Sequence, residues 1–118
     1  MKFAANMSTL CQEIPKLTDR LIHLLKRTDF KFDAIECQNP YGVPIAEWQE
    51  LASQYSFNWV LINTPPMFEA FPNLASPNAV SKDEYQEKVL KPAIEFARAL
   101  RIPKVHLVMG DANNSSDK

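Results

Sequence analysis

Four polar side chains stand inside or at the end of short apolar segments, where a folded chain would have to spend hydrogen bonds to keep them. They are Asn6 in Phe3-Ala4-Ala5-Asn6, Glu36 in Ala34-Ile35-Glu36-Cys37, Asn63 in Val60-Leu61-Ile62-Asn63, and His106 in Val105-His106-Leu107. A carboxylate in such a place can face a substrate or a metal, or it can be a structural acid paired with a neighbour. An imidazole can polarise a substrate oxygen, stand behind a metal ligand, or rest as a neutral hydrogen-bonded core group. The two amides can bind a hydroxyl or carboxylate oxygen, or tie down a loop. Tyr41 follows Asn39-Pro40 and can roof a pocket or pack on the first or second helix. Cys11 and Cys37 have no base at a recognisable spacing, which makes nucleophilic catalysis remote. Trp48 and Trp59 read as packing anchors and His23 as a solvated or half-buried helix residue.

Other chemistries are excluded by what the sequence lacks. Glycine occurs twice, at Gly42 and Gly110, against nine prolines, so neither glycine-rich phosphate-binding motif is present. A formal net charge of −1 gives no reason to expect nucleic acid or an anionic membrane as partner. No apolar run approaches the ~20 residues of a membrane span, and the N-terminus does not read as a signal peptide. The two cysteines form no close pair for zinc or redox chemistry. These features point to a cytoplasmic protein, with 46% hydrophobic and 23% charged residues as in ordinary globular domains.

The elements that must position the candidate residues alternate in type. Strand-like segments at Lys2–Met7, Phe32–Gln38, Asn58–Asn63 and Lys104–Met109 are separated by helix-period stretches. The first helix carries Leu17, Leu21, Leu24 and Leu25 on one stripe. The second opens with Pro44, a favoured first helical residue, and its stripe is Ile45, Trp48, Leu51, Ala52 and Tyr55. The third opens with the capping box Ser81-Lys82-Asp83-Glu84 and is stopped by Pro103; Pro92, inside it, predicts a kink. This order calls for a parallel sheet with right-handed crossovers. Four strands in 118 residues extrapolate to roughly 250 for eight, the size of a (β/α)₈ barrel. The sequence is therefore read as one α/β domain, residues 1–118, forming the N-terminal half of a TIM barrel: four parallel strands and three crossover helices.

Strand alternation places Asn6, Glu36, Asn63 and His106 on one face of this sheet, with Trp59 and Leu61 beside them. The other face is apolar and suited to lie under helices. A barrel interior that turns polar towards its mouth fits this better than an open sheet buried on both sides. A long connection at 64–80, holding Pro65, Pro66, Pro72 and Pro77, leaves the mouth end of the third strand, as a lid, a pocket wall or a passive loop.

The strand-end segments Phe3-Ala4-Ala5-Asn6-Met7-Ser8, Ile35-Glu36-Cys37-Gln38-Asn39-Pro40-Tyr41, Leu61-Ile62-Asn63-Thr64-Pro65 and Val105-His106-Leu107-Val108-Met109-Gly110 resemble the hydroxypyruvate isomerase family of xylose-isomerase-like barrels. Ala93-Ile94-Glu95-Phe96-Ala97-Arg98-Ala99-Leu100 resembles its third helix. The resemblance covers nearly the whole chain, but only the N-terminal half of a family member. It departs after strand three, where relatives have a glycine-bearing loop and this chain has a proline-rich one.

The resemblance implies interconversion of hydroxypyruvate and 2-hydroxy-3-oxopropanoate by enediol-type proton transfer, the aldose–ketose type of isomerisation. The family's acid/base glutamates and metal-ligand carboxylates come from strands five to eight. No catalytic residue and no metal ligand is therefore assigned to this chain, and no cofactor; a divalent metal is compatible with the full-length protein. Asn6, Glu36, Tyr41, Asn63 and His106 remain as substrate-pocket candidates. The expected partner is a small hydroxy-oxo acid, with neither nucleic acid nor membrane, and with self-association through the open barrel face. The alternatives are a non-catalytic half-barrel that binds a small molecule or pairs with another chain, and another sugar isomerase or epimerase of the same superfamily. A metal-dependent endonuclease would need a basic groove, which the near-neutral charge does not provide.

Overall fold

The structure is a computed structural model, and it describes residues 2–27, 29, 31–72 and 80–108. Its elements run β1 (Ala4–Asn6), α1 (Leu17–Leu25), β2 (Ala34–Cys37), α2 (Ile45–Gln54), β3 (Trp59–Asn63), α3 (Met67–Ala70), α4 (Lys82–Tyr85), a π-helical turn (Gln86–Leu90), α5 (Lys91–Leu100) and β4 (Lys104–His106). The strands form one parallel sheet in the order β1-β2-β3-β4. With helices between successive strands, this is half of a TIM barrel. Met109, the last residue of the fourth strand-like segment, and Gly110 after it lie outside the described residues, as do Leu74 and Pro77 of the long connection.

Alternation decides which side chains meet the helices. Met7 and Ile62 are fully buried on the sheet's outer face, as is Ile35. They join Leu21 and Leu24 of α1, Trp48 and Leu51 of α2, and Phe96 of α5 in one core cluster. Burying a side chain of this size contributes about 1.5–3 kcal/mol each, so this layer holds the helical stripes against the sheet. The partly buried Leu17 and Leu25 flank it, as the leucine stripe requires. Ala52, expected on the α2 stripe, is exposed.

One phase expectation fails. Ile35 pairs with Trp59 but Glu36 pairs with Leu61, so Val60 is an extra residue in β3. This bulge rotates Trp59 out of the mouth-facing set and into the helix-covered core, where it is 8% exposed. Trp59 is thus a packing anchor, but on the face opposite to the one alternation assigns.

The helix ends follow local chemistry. Pro44 precedes α2 with φ −59° and ψ 146°, so it caps the helix from outside rather than occupying its first turn. The Ser81 side chain accepts from the Glu84 amide at 3.1 Å, the serine half of the expected capping box. The kink expected at Pro92 takes the form of the π turn just before it, after which Pro92 sits in the first turn of α5. A proline there has no amide hydrogen to donate and its ring needs room, and a widened turn meets both demands. The helix ends on Arg101 at φ 56°, a left-handed conformation that glycine usually supplies.

The connection at 64–80 is not structureless. Its first part forms α3, tied to the end of β2 by Asn39 Nδ2, which donates to both Glu69 carboxylate oxygens at 3.1 and 3.2 Å. Phe71 is buried beneath Lys88, whose ammonium lies 5.3 Å from the ring centroid. The sheet's outer face beyond β3 is less well covered. Val105 and Leu107 of the β4 segment are 39% and 45% exposed.

Candidate functional site

The strands end together at the mouth, and their last side chains converge there. Asn6 closes β1, Glu36 lies one residue before the end of β2, Asn63 closes β3 and His106 closes β4. All four line one pocket of ≈ 240 Å³ with Cys37, Gln38 and Leu61. The register explains this convergence: Asn6 pairs with Glu36, and Asn63 with His106, so each pair sits side by side at one level of the sheet.

Each group has a distinct state. The Asn6 side-chain oxygen accepts from the Ser8 amide at 2.9 Å, which fixes the amide at the start of the loop. Ser8 in turn accepts at its hydroxyl from the Gln38 amide at 2.9 Å, joining the loops after β1 and β2. His106 Nδ1 and the Asn63 side-chain oxygen lie 3.2 Å apart. Glu36 is half-buried, and among the described residues its carboxylate has no hydrogen-bond or ion-pair partner. The structural-acid role considered for it would need such a partner.

Tyr41 lies apart from the other four. It is half-buried, its ring meets Phe96 of α5 edge-on at 4.8 Å, and its hydroxyl donates to the Asn63 backbone carbonyl. Burial raises its phenol pKa well above the usual value, so the hydroxyl keeps its proton and acts as a donor. Tyr41 thus braces the strand that carries Asn63 instead of roofing the pocket. His23 is exposed on α1, as a solvated helix residue should be.

Three lining residues were not singled out as pocket candidates. Alternation puts Leu61 on the mouth face beside Asn63, and Gln38 likewise beside Glu36. Cys37 belongs to the core face as well as lining the pocket, and no sequence signal marks it as a pocket residue. Burial pushes its thiol pKa up, which keeps the sulfur protonated and unreactive. No group of three or more His, Cys, Asp or Glu side chains comes together among the described residues. Glu36 and His106 are too few to hold a cation by themselves, since a divalent site needs four or more ligands.

Behind the pocket, Thr64 is 1% exposed and locks β3 to β4. Its amide donates to the His106 carbonyl at 2.9 Å, and its hydroxyl accepts from the Val108 amide at 2.9 Å. The backbone carrying His106 is therefore fixed although its ring is exposed.

No family model matches the chain. The curated proteins it is similar to include several described as "Putative hydroxypyruvate isomerase". That of Caenorhabditis elegans is 31% identical over 122 residues, covering 98% of this chain and 43% of the relative. That of Mus musculus is 30% identical over 118 residues, covering 100% and 42%. That of Danio rerio is 26% identical over 118 residues, with the same coverage. The chain thus spans less than half the length of the curated relatives it matches. A solved structure described as an AP endonuclease, family 2, from Brucella melitensis superposes with a TM-score of 0.70 and 26% identity, over 92% of this chain and 41% of that one. No helix among the described residues is long and apolar enough to cross a membrane. Along its whole length, then, this chain is similar to part of the hydroxypyruvate isomerases, on a xylose-isomerase-like half-barrel.

Proposed function

We propose that this chain is the substrate-holding side of an isomerase of small hydroxy-oxo acids, which in the full-length protein interconverts hydroxypyruvate and 2-hydroxy-3-oxopropanoate. The observation that carries the reading is the convergence of Asn6, Glu36, Asn63 and His106 in one pocket at the ends of four successive parallel strands. In barrels of this kind the reacting groups stand at that end of the sheet. The isomerisation moves a carbonyl between adjacent carbons through an enediol, so the site must hold two neighbouring oxygens in fixed positions while protons move. Amides and an imidazole on rigid strand ends meet that demand. A divalent metal, if the whole protein holds one, would stabilise the developing oxyanion. The pocket residues of this chain add at most a carboxylate and an imidazole to such a site.

The endonuclease described for the structural neighbour fits less well. Phosphate binding calls for Lys or Arg, and neither lines the pocket among the described residues.

The reading is tested by calorimetric titration of the 118-residue chain with hydroxypyruvate, alongside an assay for 2-hydroxy-3-oxopropanoate. Saturable binding that Glu36→Leu weakens at least tenfold, without turnover, is expected. The absence of turnover follows from the resemblance, which puts the family's acid/base glutamates on strands that this sequence does not contain. A folded chain that binds no hydroxypyruvate contradicts the proposal. Turnover abolished by mutating one of its own residues would equally overturn the assignment of this half to holding alone.

A further inference from the structure

We infer that the mouth pocket receives the hydroxyl-bearing end of its substrate, through an acceptor pair made of the Glu36 carboxylate and His106 Nε2, and that Asn63 is the positioning residue that makes Nε2 an acceptor. The inference rests on the reading above, that the substrate is a small hydroxy-oxo acid, and adds which end of it this chain recognises.

The tautomer follows from the partner. Asn63 Oδ1, 3.2 Å from His106 Nδ1, is an amide oxygen and can only accept. Nδ1 must therefore carry the hydrogen, and the neutral ring then presents a lone pair at Nε2. A histidine side chain free in water favours the opposite tautomer, so this state needs Asn63. Asn63 is itself held in place: its backbone carbonyl accepts from the Tyr41 hydroxyl, and the next residue, Thr64, pins β3 to β4 at the His106 carbonyl and the Val108 amide.

Glu36 lines the same pocket and has no partner among the described residues. A carboxylate accepts only, so Glu36 and His106 Nε2 give the pocket two adjoining acceptors, beside the Gln38 carboxamide, with no Lys or Arg among its lining side chains. That combination repels the carboxylate of a hydroxy-oxo acid and favours its O–H donor. The donors it keeps are the side-chain NH₂ groups of Gln38 and of Asn6 and Asn63, the last two with their oxygens already occupied by Ser8 and His106. Those groups suit the neighbouring carbonyl oxygen. The substrate's carboxylate must then face away from this half of the mouth.

The test is ¹⁵N NMR of the chain labelled at histidine, at a pH where the imidazoles are neutral. There are two histidines, so His23→Gln assigns the spectrum. We expect His106 as the Nδ1–H tautomer in the wild type, kept by Asn63→Asp, which retains an acceptor, and turned to Nε2–H by Asn63→Leu. A wild-type His106 in the Nε2–H form overturns the inference, whatever the variants do. Hydroxypyruvate is then compared with pyruvate, which lacks the hydroxyl. Hydroxypyruvate should move the Nε2 resonance and pyruvate at the same concentration should not. An equal response to both overturns hydroxyl recognition while leaving the proposed function standing. No response to either, anywhere in the chain, overturns both.

Discussion

The indole of Trp59 meets that of Trp48 edge to face, with ring centroids 5.1 Å apart and planes at 76°. Trp48 is also anchored by its own N–H, which donates to the Pro40 carbonyl at 3.2 Å, so the pair joins α2, β3 and the loop after β2. Trp59→Ala should cost about 3–5 kcal/mol of stability, the range for a buried large-to-small change. A double-mutant cycle with Trp48→Ala should return about 0.5–1.5 kcal/mol of coupling, read from denaturant midpoints. A loss below 1 kcal/mol for Trp59→Ala would mean that the indole faces the mouth after all.

The bulge that turns Trp59 inward marks a limit of what the sequence can tell. Trp59-Val60-Leu61-Ile62 is a continuous apolar run, and such a run carries no phase of its own. Counting back from Asn63 gives the right face for Leu61 and the wrong one for Trp59, because the extra residue is a matter of packing against Trp48. In β1 and β2, where Asn6 and Glu36 interrupt apolar neighbours, alternation alone places the side chains. His106 is placed in the same way between Val105 and Leu107. Tyr41 could not be placed, because its position is set by Phe96, 55 residues further along in sequence and on a different helix. The helix Met67–Ala70 was hidden by its brevity and by the prolines that precede it. The element order, the stripes and the convergence of four polar groups were legible, since each depends on spacing along one segment.

Arg101 holds a left-handed backbone at φ 56°, which costs a residue with a Cβ about 1–2 kcal/mol. Arg101→Gly should therefore raise stability by about 0.5–1 kcal/mol, once the added freedom of glycine in the unfolded chain is subtracted. Thermal denaturation would show a midpoint higher by a few degrees. A lower midpoint would mean that the arginine side chain makes a contact worth more than the strain.

Burial raises the pKa of both Cys37 and Tyr41 above their ordinary values of 9.0 and 10.0. A raised folded-state value gives stability that is complete below the unfolded pKa and is lost as pH rises towards the folded one. The melting temperature should therefore hold up to about pH 9 and fall above it. Cys37→Ser with Tyr41→Phe should flatten that fall. In native protein at pH 8, a thiol reagent should leave Cys37 unmodified for far longer than after unfolding. Equal rates in the two states would contradict the protonated, buried thiol.

The sheet leaves Val105 of β4 and Leu107 just after it exposed, and Phe3, next to β1, is 60% exposed. Strand edges and apolar side chains left in the open favour pairing with another copy. We expect the 118-residue chain to dimerise or aggregate at micromolar concentration, and Val105→Thr with Leu107→Thr to reduce this in sedimentation velocity. A monodisperse wild-type monomer with a sharp thermal transition would show that the sheet is satisfied as it stands.

The most direct test of the central claim, that four strand ends form one binding site for a small hydroxy-oxo acid, is ¹H–¹⁵N chemical-shift mapping of the chain during titration with hydroxypyruvate. Saturable shifts are expected, concentrated at Asn6, Glu36, Gln38, Asn63 and His106, with little change along α1 or α2, and lost in Glu36→Leu. Shifts spread over the helices, or a spectrum that does not respond, would contradict that claim.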